Sequence, residues 1–221
     1  MSKQPQSLKP FYVALAALSL VTVILLLLYQ TQQKKQAQLP TQDQNTLEPL
    51  LQLPHFELNN AQGNRFDSKQ LQGKVWIADF VFTRCMGPCP MLTLQMAKLE
   101  LQLKNDPRWQ QMRLVTFTVD PDYDTPKVLS EHSKRAGIST QQWLWLTGDR
   151  KPMWDLINNG FKLMVGPSDT TKNDPGHGLI THSSKFVLID RKLQTRGYYD
   201  ALKSDDIKRL LDDLQIVLNE K

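Results

Sequence analysis

The chain has 221 residues, 40% of them hydrophobic and 22% charged, with a formal net charge of +5, two cysteines and four histidines. Lys3, Lys9, Lys34 and Lys35 precede Pro40 with no acidic residue among them, so the rest of the chain is close to neutral and carries no excess of base that would ask for nucleic acid. The cysteines, Cys85 and Cys89, share one short run, so whatever thiol chemistry the chain performs is local to it.

From Phe11 to Tyr29 there is no charged residue, a stretch long enough at about 1.5 Å per residue to cross a bilayer. It exceeds the apolar segment of a cleaved signal peptide, and Leu25–Gln30 offers no small-x-small cleavage site, so the segment reads as an uncleaved anchor. The flanking lysines are nearly tied across the segment. A long C-terminal domain exports regardless of such charge, and a lone thiol pair suits an oxidising compartment. The expected arrangement is a short cytoplasmic N-terminus (1–10), a single-pass anchor (11–29) in a bacterial inner membrane, a glutamine-rich polar linker (30–49) and one domain (50–221) facing the periplasm. The few residues before the anchor contain no Arg, which argues against a mitochondrial presequence.

Within the domain, Leu53–Leu58 and the turn-rich Asn60–Asn64 predict an N-terminal hairpin. The nearly continuous apolar run Val75–Phe82 predicts a central strand covered on both faces. Met91–Lys104 has helical spacing of apolar residues, and Met112–Val119 predicts a second buried strand, giving a parallel right-handed unit. Thr125 and Pro126 are an N-cap and first helical residue, for a helix running to about Ala136. A strand over Trp143–Thr147, a short helix over Met153–Asn159 and a loop over Gly166–Gly178 follow. Ser184–Asp190 and Arg196–Tyr199 form a hairpin, and Ser204 caps a last helix with an apolar stripe of Ile207, Leu210, Leu211, Leu214 and Val217.

Cys85 and Cys89 therefore fall where a central strand gives way to a helix, and the free N–H groups of a helix N-terminus, with Arg84 adjacent, favour at least one thiolate. A structural disulfide closing so short a loop would stabilise little. Thiol–disulfide exchange remains open, although thioredoxin-type enzymes space their thiols by two residues rather than three. A two-thiolate clamp is the other reading, and His182, before the strand that starts near Ser184, could add an imidazole; that donor set suits copper or zinc. His177 reads as a loop residue, and His55 and His132 as structural or solvent-facing. Asp79, in the strand leading to the thiols, either tunes their acidity or satisfies a backbone group. Met86 offers a soft thioether, ranked below His182 as a ligand. Asp120 and Asp124 read as turn and capping residues.

The order of elements resembles the thioredoxin fold, an α/β architecture, here with an N-terminal β extension. Cys85-Met86-Gly87-Pro88-Cys89-Pro90, Val119-Asp120-Pro121 followed by Asp124-Thr125-Pro126, and His182-Ser183 resemble the CxxxCP, VDP-x-x-DTP and histidine motifs of the Sco/SenC family of copper-handling proteins, over roughly Leu53 to Leu218. The resemblance implies one copper ion bound by Cys85, Cys89 and His182, with the VDP turn near the metal face. It also implies a chaperone role in building the copper A centre of cytochrome c oxidase subunit II, by copper delivery or by thiol reduction. Other copper chaperones or thiol reductants would be further partners. An oxidoreductase of thioredoxin or peroxiredoxin type, and a copper or redox sensor, are the rival readings.

Overall fold

The structure, a computed structural model, describes residues 23–27, 29–30, 47–138, 141–167, 180–181 and 183–220. The expected anchor at 11–29 lies largely outside them; residues 23–27 and 29–30 are helical, and no helix among the described residues is long and apolar enough to cross a membrane. The chain divides into two compact units, Met1–Gln44 and Asn45–Lys221. All that follows concerns the second.

In chain order its strands are β1 (Leu51–Gln52), β2 (Glu57–Asn60), β3 (Arg65–Asp67), β4 (Val75–Val81), β5 (Met112–Thr118), β6 (Trp143–Thr147), β7 (Gly166–Pro167), β8 (Ile180–Thr181), β9 (Lys185–Ile189) and β10 (Gln194–Asp200). The α-helices are α1 (Cys89–Leu103), α2 (Pro126–Arg135), α3 (Arg150–Asp155) and α4 (Ser204–Asn219). Eight strands form one sheet in the order β1-β10-β9-β4-β5-β6-β2-β3, with β4, β5 and β6 parallel and β9 antiparallel to β4; β7 and β8 pair separately.

Every residue of β4 is buried, as its unbroken apolar run requires of a strand covered on both faces. Side chains alternate along it, so Val75, Ile77, Asp79 and Val81 face one layer while Trp76, Ala78 and Phe80 face the other. The second layer is aromatic. Phe80 stacks on Phe117 with centroids 5.6 Å apart, and Phe161 meets Phe80 edge-on at 5.0 Å and Trp76 at 6.2 Å. Right-handed crossovers put α1 and α2 together on one face, where α1 buries Leu92, Met96 and Leu99 against β4 and α2 buries Leu129 against β6. The stripe of α4 buries Leu210, Leu214 and Val217, with Ile207 and Leu211 at its margins.

Several expectations shift. The first hairpin starts at Glu57 rather than Leu53, because the Leu53 amide donates to the Leu193 carbonyl beside β10 instead of joining β2. The predicted Met153–Asn159 helix begins earlier, at Arg150, and widens into a π turn over Leu156–Gly160. Lys203, not Ser204, occupies the cap position of α4, and no side chain caps it. Of the expected loop over Gly166–Gly178, Gly166–Pro167 instead form β7, paired with β8, and residues 168–178 lie outside the described residues.

Candidate metal centre

The thiol loop leaves β4 at Phe82 and enters α1 at Cys89, which is the first helical residue, with Pro90 next to it where its missing N–H costs nothing. Cys85 lies before the helix, its amide donating to the Phe82 carbonyl at 3.3 Å. Both cysteines are free and buried, 8% and 4% exposed, so the pair is presented from within rather than displayed. The Gly87 amide donates to the Cys85 sulfur at 3.4 Å.

Asp120 and Asp124 hold this loop in place. The fully buried Asp124 carboxylate accepts from the Thr83 amide at 3.1 Å, from the Thr83 hydroxyl, and from the Thr118 hydroxyl at 2.6 Å. Burial raises its pKa despite those donors. Asp120, also buried, accepts from Arg84 Nε at 2.7 Å, and the guanidinium lies 4.7 Å over the Tyr123 ring. Thr125 caps α2 as its sequence predicts, accepting from the Val128 amide. The two aspartates thus do more than shape a turn: they brace the residues immediately ahead of Cys85. Sequence reasoning missed Thr83, for which a small polar residue beside a thiol carries no distinctive signal.

The expected acidic thiol is not found at Cys89. Burial is the first cause of a pKa well above the ordinary thiol range; the Cys85 side chain and the charge of Asp79 push it further up, and a backbone hydrogen bond at Phe82 opposes them only in part. Arg84 does not offset this, since it pairs with Asp120. Asp79 satisfies no backbone group: both oxygens are buried and make no well-formed hydrogen bond. Thr116 on β5 lies directly across; its hydroxyl accepts from Trp143 Nε1 at 2.8 Å, which leaves its own proton available to the Asp79 carboxyl. Burial lifts the Asp79 pKa to about 7, with the Thr116 side chain and its own amide pulling weakly the other way.

A cavity of about 220 Å³ adjoins the thiols, lined by Cys85, Cys89, Val81, Thr83, Thr93 and His132 among others. The place of His132 there is unforeseen, because an isolated histidine on a predicted surface helix gives no hint of what its side chain meets. Met86 projects outward, 92% exposed. His182 and His177 lie outside the described residues; Ser183 to Lys185, following His182, enter β9 at the end of the sheet where β4 runs out toward Cys85. His55 is remote from the thiols along the sheet order. It forms with Glu57 and Asp67 the one three-residue set of metal-ligating groups that converges among the described residues, yet Glu57 is paired with Arg65, and Asp67 accepts from His55 and from the Lys69 amide.

Two thiols in one cavity fit a soft ion such as copper(I), which thiolate ligands select. A family model described as SCO1/SenC matches residues 44–219. Among solved structures, a SCO1/SenC family lipoprotein from Bacillus anthracis is 29% identical with a TM-score of 0.69, covering 78% of this chain and 98% of that one. BsSco, described as a member of the Sco family of cytochrome c oxidase assembly proteins with a disulfide switch, is 27% identical with a TM-score of 0.67, covering 79% and 98%. Yeast Sco1 with copper bound is 26% identical with a TM-score of 0.57, covering 73% and 88%. With its thioredoxin-like fold, its CxxxCP thiol loop braced by the VDP turn, and a family match over nearly the whole of the second unit, this chain belongs to the SCO1/SenC family.

Proposed function

We propose that this protein is a copper carrier that holds one copper ion through Cys85, Cys89 and His182 and serves the assembly of the copper A centre of cytochrome c oxidase, tethered to a bacterial inner membrane by residues 11–29 with its domain in the periplasm. The observation that carries the reading is the pair of free, buried thiols sharing one cavity at the junction of β4 and α1. A dithiolate is a soft clamp for copper(I), and an imidazole from the segment leading into β9 would complete three-fold coordination. The bacterial lipoprotein relative supports membrane association, and tethering raises the effective concentration of encounter with a membrane-bound oxidase subunit.

The test is anaerobic copper(I) titration of the reduced protein. One equivalent should bind tightly, Cys85→Ser or Cys89→Ser should abolish tight binding, and His182→Ala should weaken it. Wild-type affinity in either serine variant would refute the dithiolate site. Thiol reduction of the oxidase subunit is the second reading, favoured by the placement of two cysteines together at the start of α1. It predicts that His182→Ala leaves disulfide exchange intact.

A further inference from the structure

The hairpin of β2 and β3 carries a second set of ligand-type side chains, apart from the thiols. Strand alternation sends Phe56, Leu58 and Phe66 into the core and turns His55, Glu57 and Asp67 outward, and the register sets Glu57 directly opposite Asp67 across the ribbon. His55 stands two residues ahead of Glu57, hence on the same face. Its Nε2 lies 3.0 Å from Asp67 Oδ1, and the ligand atoms of all three residues fall within 4.8 Å of one another.

Nitrogen and oxygen donors bonded to one ion at about 2.0–2.2 Å stand about 3–4 Å apart, so His55 and Asp67 already have the spacing of two ligands, and a rotation of the Glu57 side chain brings in the third. All three are at least partly exposed, so an ion reaches them from solvent and water fills its remaining positions. The existing contacts do not close the site. His55 and the Lys69 amide both engage Oδ1 of Asp67, and Arg65 engages Oε2 of Glu57, which leaves a second oxygen on each carboxylate. The Arg65 side chain is 75% exposed, and an ion pair so open to water holds weakly against a doubly charged ion. One imidazole with two carboxylates suits copper(II) or zinc, with copper(II) ahead in the order of divalent affinities, and it offers no sulfur to copper(I).

We propose that His55, Glu57 and Asp67 form a surface site for one copper(II) ion, with water completing its coordination. The inference does not depend on the thiol-pair function proposed above. Beside that function it gives the chain two copper sites sorted by oxidation state: sulfur donors for copper(I) at the junction of β4 and α1, nitrogen and oxygen donors for copper(II) on the β2–β3 hairpin.

The experiment uses the full chain carrying Cys85→Ser, Cys89→Ser and His182→Ala, which removes the proposed thiol site and every thiol able to reduce copper(II). Copper(II) chloride is titrated into this parent against a competing chelator, and the bound ion is followed by electron paramagnetic resonance. One equivalent should bind with the spectrum of an ion held by nitrogen and oxygen. Adding His55→Asn or Asp67→Asn should weaken binding by at least about tenfold, since loss of a group that merely supports a ligand already costs about 10–100-fold. Adding Arg65→Ala should tighten binding severalfold by freeing Glu57 of its competing cation, a gain that a misfolded protein would not show. Failure of the parent to bind overturns the proposal, as does equal affinity in His55→Asn or weaker binding in Arg65→Ala. None of these outcomes bears on the copper(I) titration of the wild-type thiols, so the two readings fail separately.

Discussion

Replacing Asp79 by Asn should change how stability depends on pH. In the folded protein its carboxyl titrates at about 7, against 3.8 for the free side chain, and burial is the main cause. A group whose folded pKa is raised contributes its stability fully below the unfolded value and loses it as pH rises toward the folded one, so the loss runs between about pH 4 and pH 7. At about 1.4 kcal/mol per unit, the whole interval is worth about 4 kcal/mol, undiminished by solvent because the side chain is fully buried. Asn keeps the shape and cannot ionise, but its amide also lacks a partner, at a cost of about 1–3 kcal/mol. Urea unfolding of the reduced domain beginning at Asn45 should therefore find the variant less stable than wild type at pH 4.5 and equal or more stable at pH 8. Asp124 and His132 also titrate, but they are common to both proteins and cancel in the difference. Parallel stability curves for the two proteins would refute the reasoning, since Asp79 would then not be protonated by its surroundings.

The same substitution removes the charge that opposes the Cys89 thiolate, so alkylation of Cys89 at pH 8 should be faster in Asp79→Asn than in wild type; a slower reaction would mean that Asp79 aids the thiolate. Asp124→Ala strips three hydrogen bonds from Thr83 and Thr118 and should cost about 2–4 kcal/mol in urea unfolding while speeding thiol alkylation, because the brace ahead of Cys85 is gone. Phe117→Ala, at the meeting point of four aromatic rings, should cost about 3–5 kcal/mol with the reduced thiols still titratable after refolding. At Gly197 on β10 an added Cβ would lie 2.2 Å from the Tyr199 hydroxyl, which donates to Asp213 at 2.6 Å, so Gly197→Ala should lower stability by about 1–3 kcal/mol; an unchanged melting temperature would show that Tyr199 moves freely.

The parts of this fold that can be read from sequence are those set by local pattern. The apolar run of β4, the periodic face of α1 and the Thr125-Pro126 start of α2 each carry their own signal over a few residues. The thiol loop was legible for the same reason: strand, two cysteines and helix are contiguous. What escaped depends on separations that no local pattern encodes. Asp124 braces Thr83 across 41 sequence positions, and His132 comes to the cavity only because two right-handed crossovers set α1 and α2 on the same face. At Cys89 the balance between helix terminus and burial is a question of magnitude. A helix N-terminus stabilises a thiolate by an amount that falls off within one turn, whereas removing Cys89 from water beside another potential anion costs more.

That outcome bears on how the pair distinguishes its partners. A thiol held protonated by burial reacts slowly with the random oxidants of an exposed compartment, because the thiolate is the nucleophile and its population is small at neutral pH. A soft metal ion meets a different barrier. It exchanges an S–H bond for a metal–sulfur bond, so the high proton affinity of Cys89 becomes a proton competition that sets the pH dependence of binding rather than a block to it. The arrangement therefore separates the two chemistries open to a dithiol by how each handles the proton. Uncatalysed oxidation is held back by the scarcity of thiolate, whereas metal capture, or exchange with a partner that brings its own base to the cavity, remains available. If the pair binds metal as proposed, the burial of Cys89 and the buried carboxylate of Asp79 would both favour that selectivity, and the cost to stability, carried by Asp79 alone, grows as pH rises from about 4 to about 7.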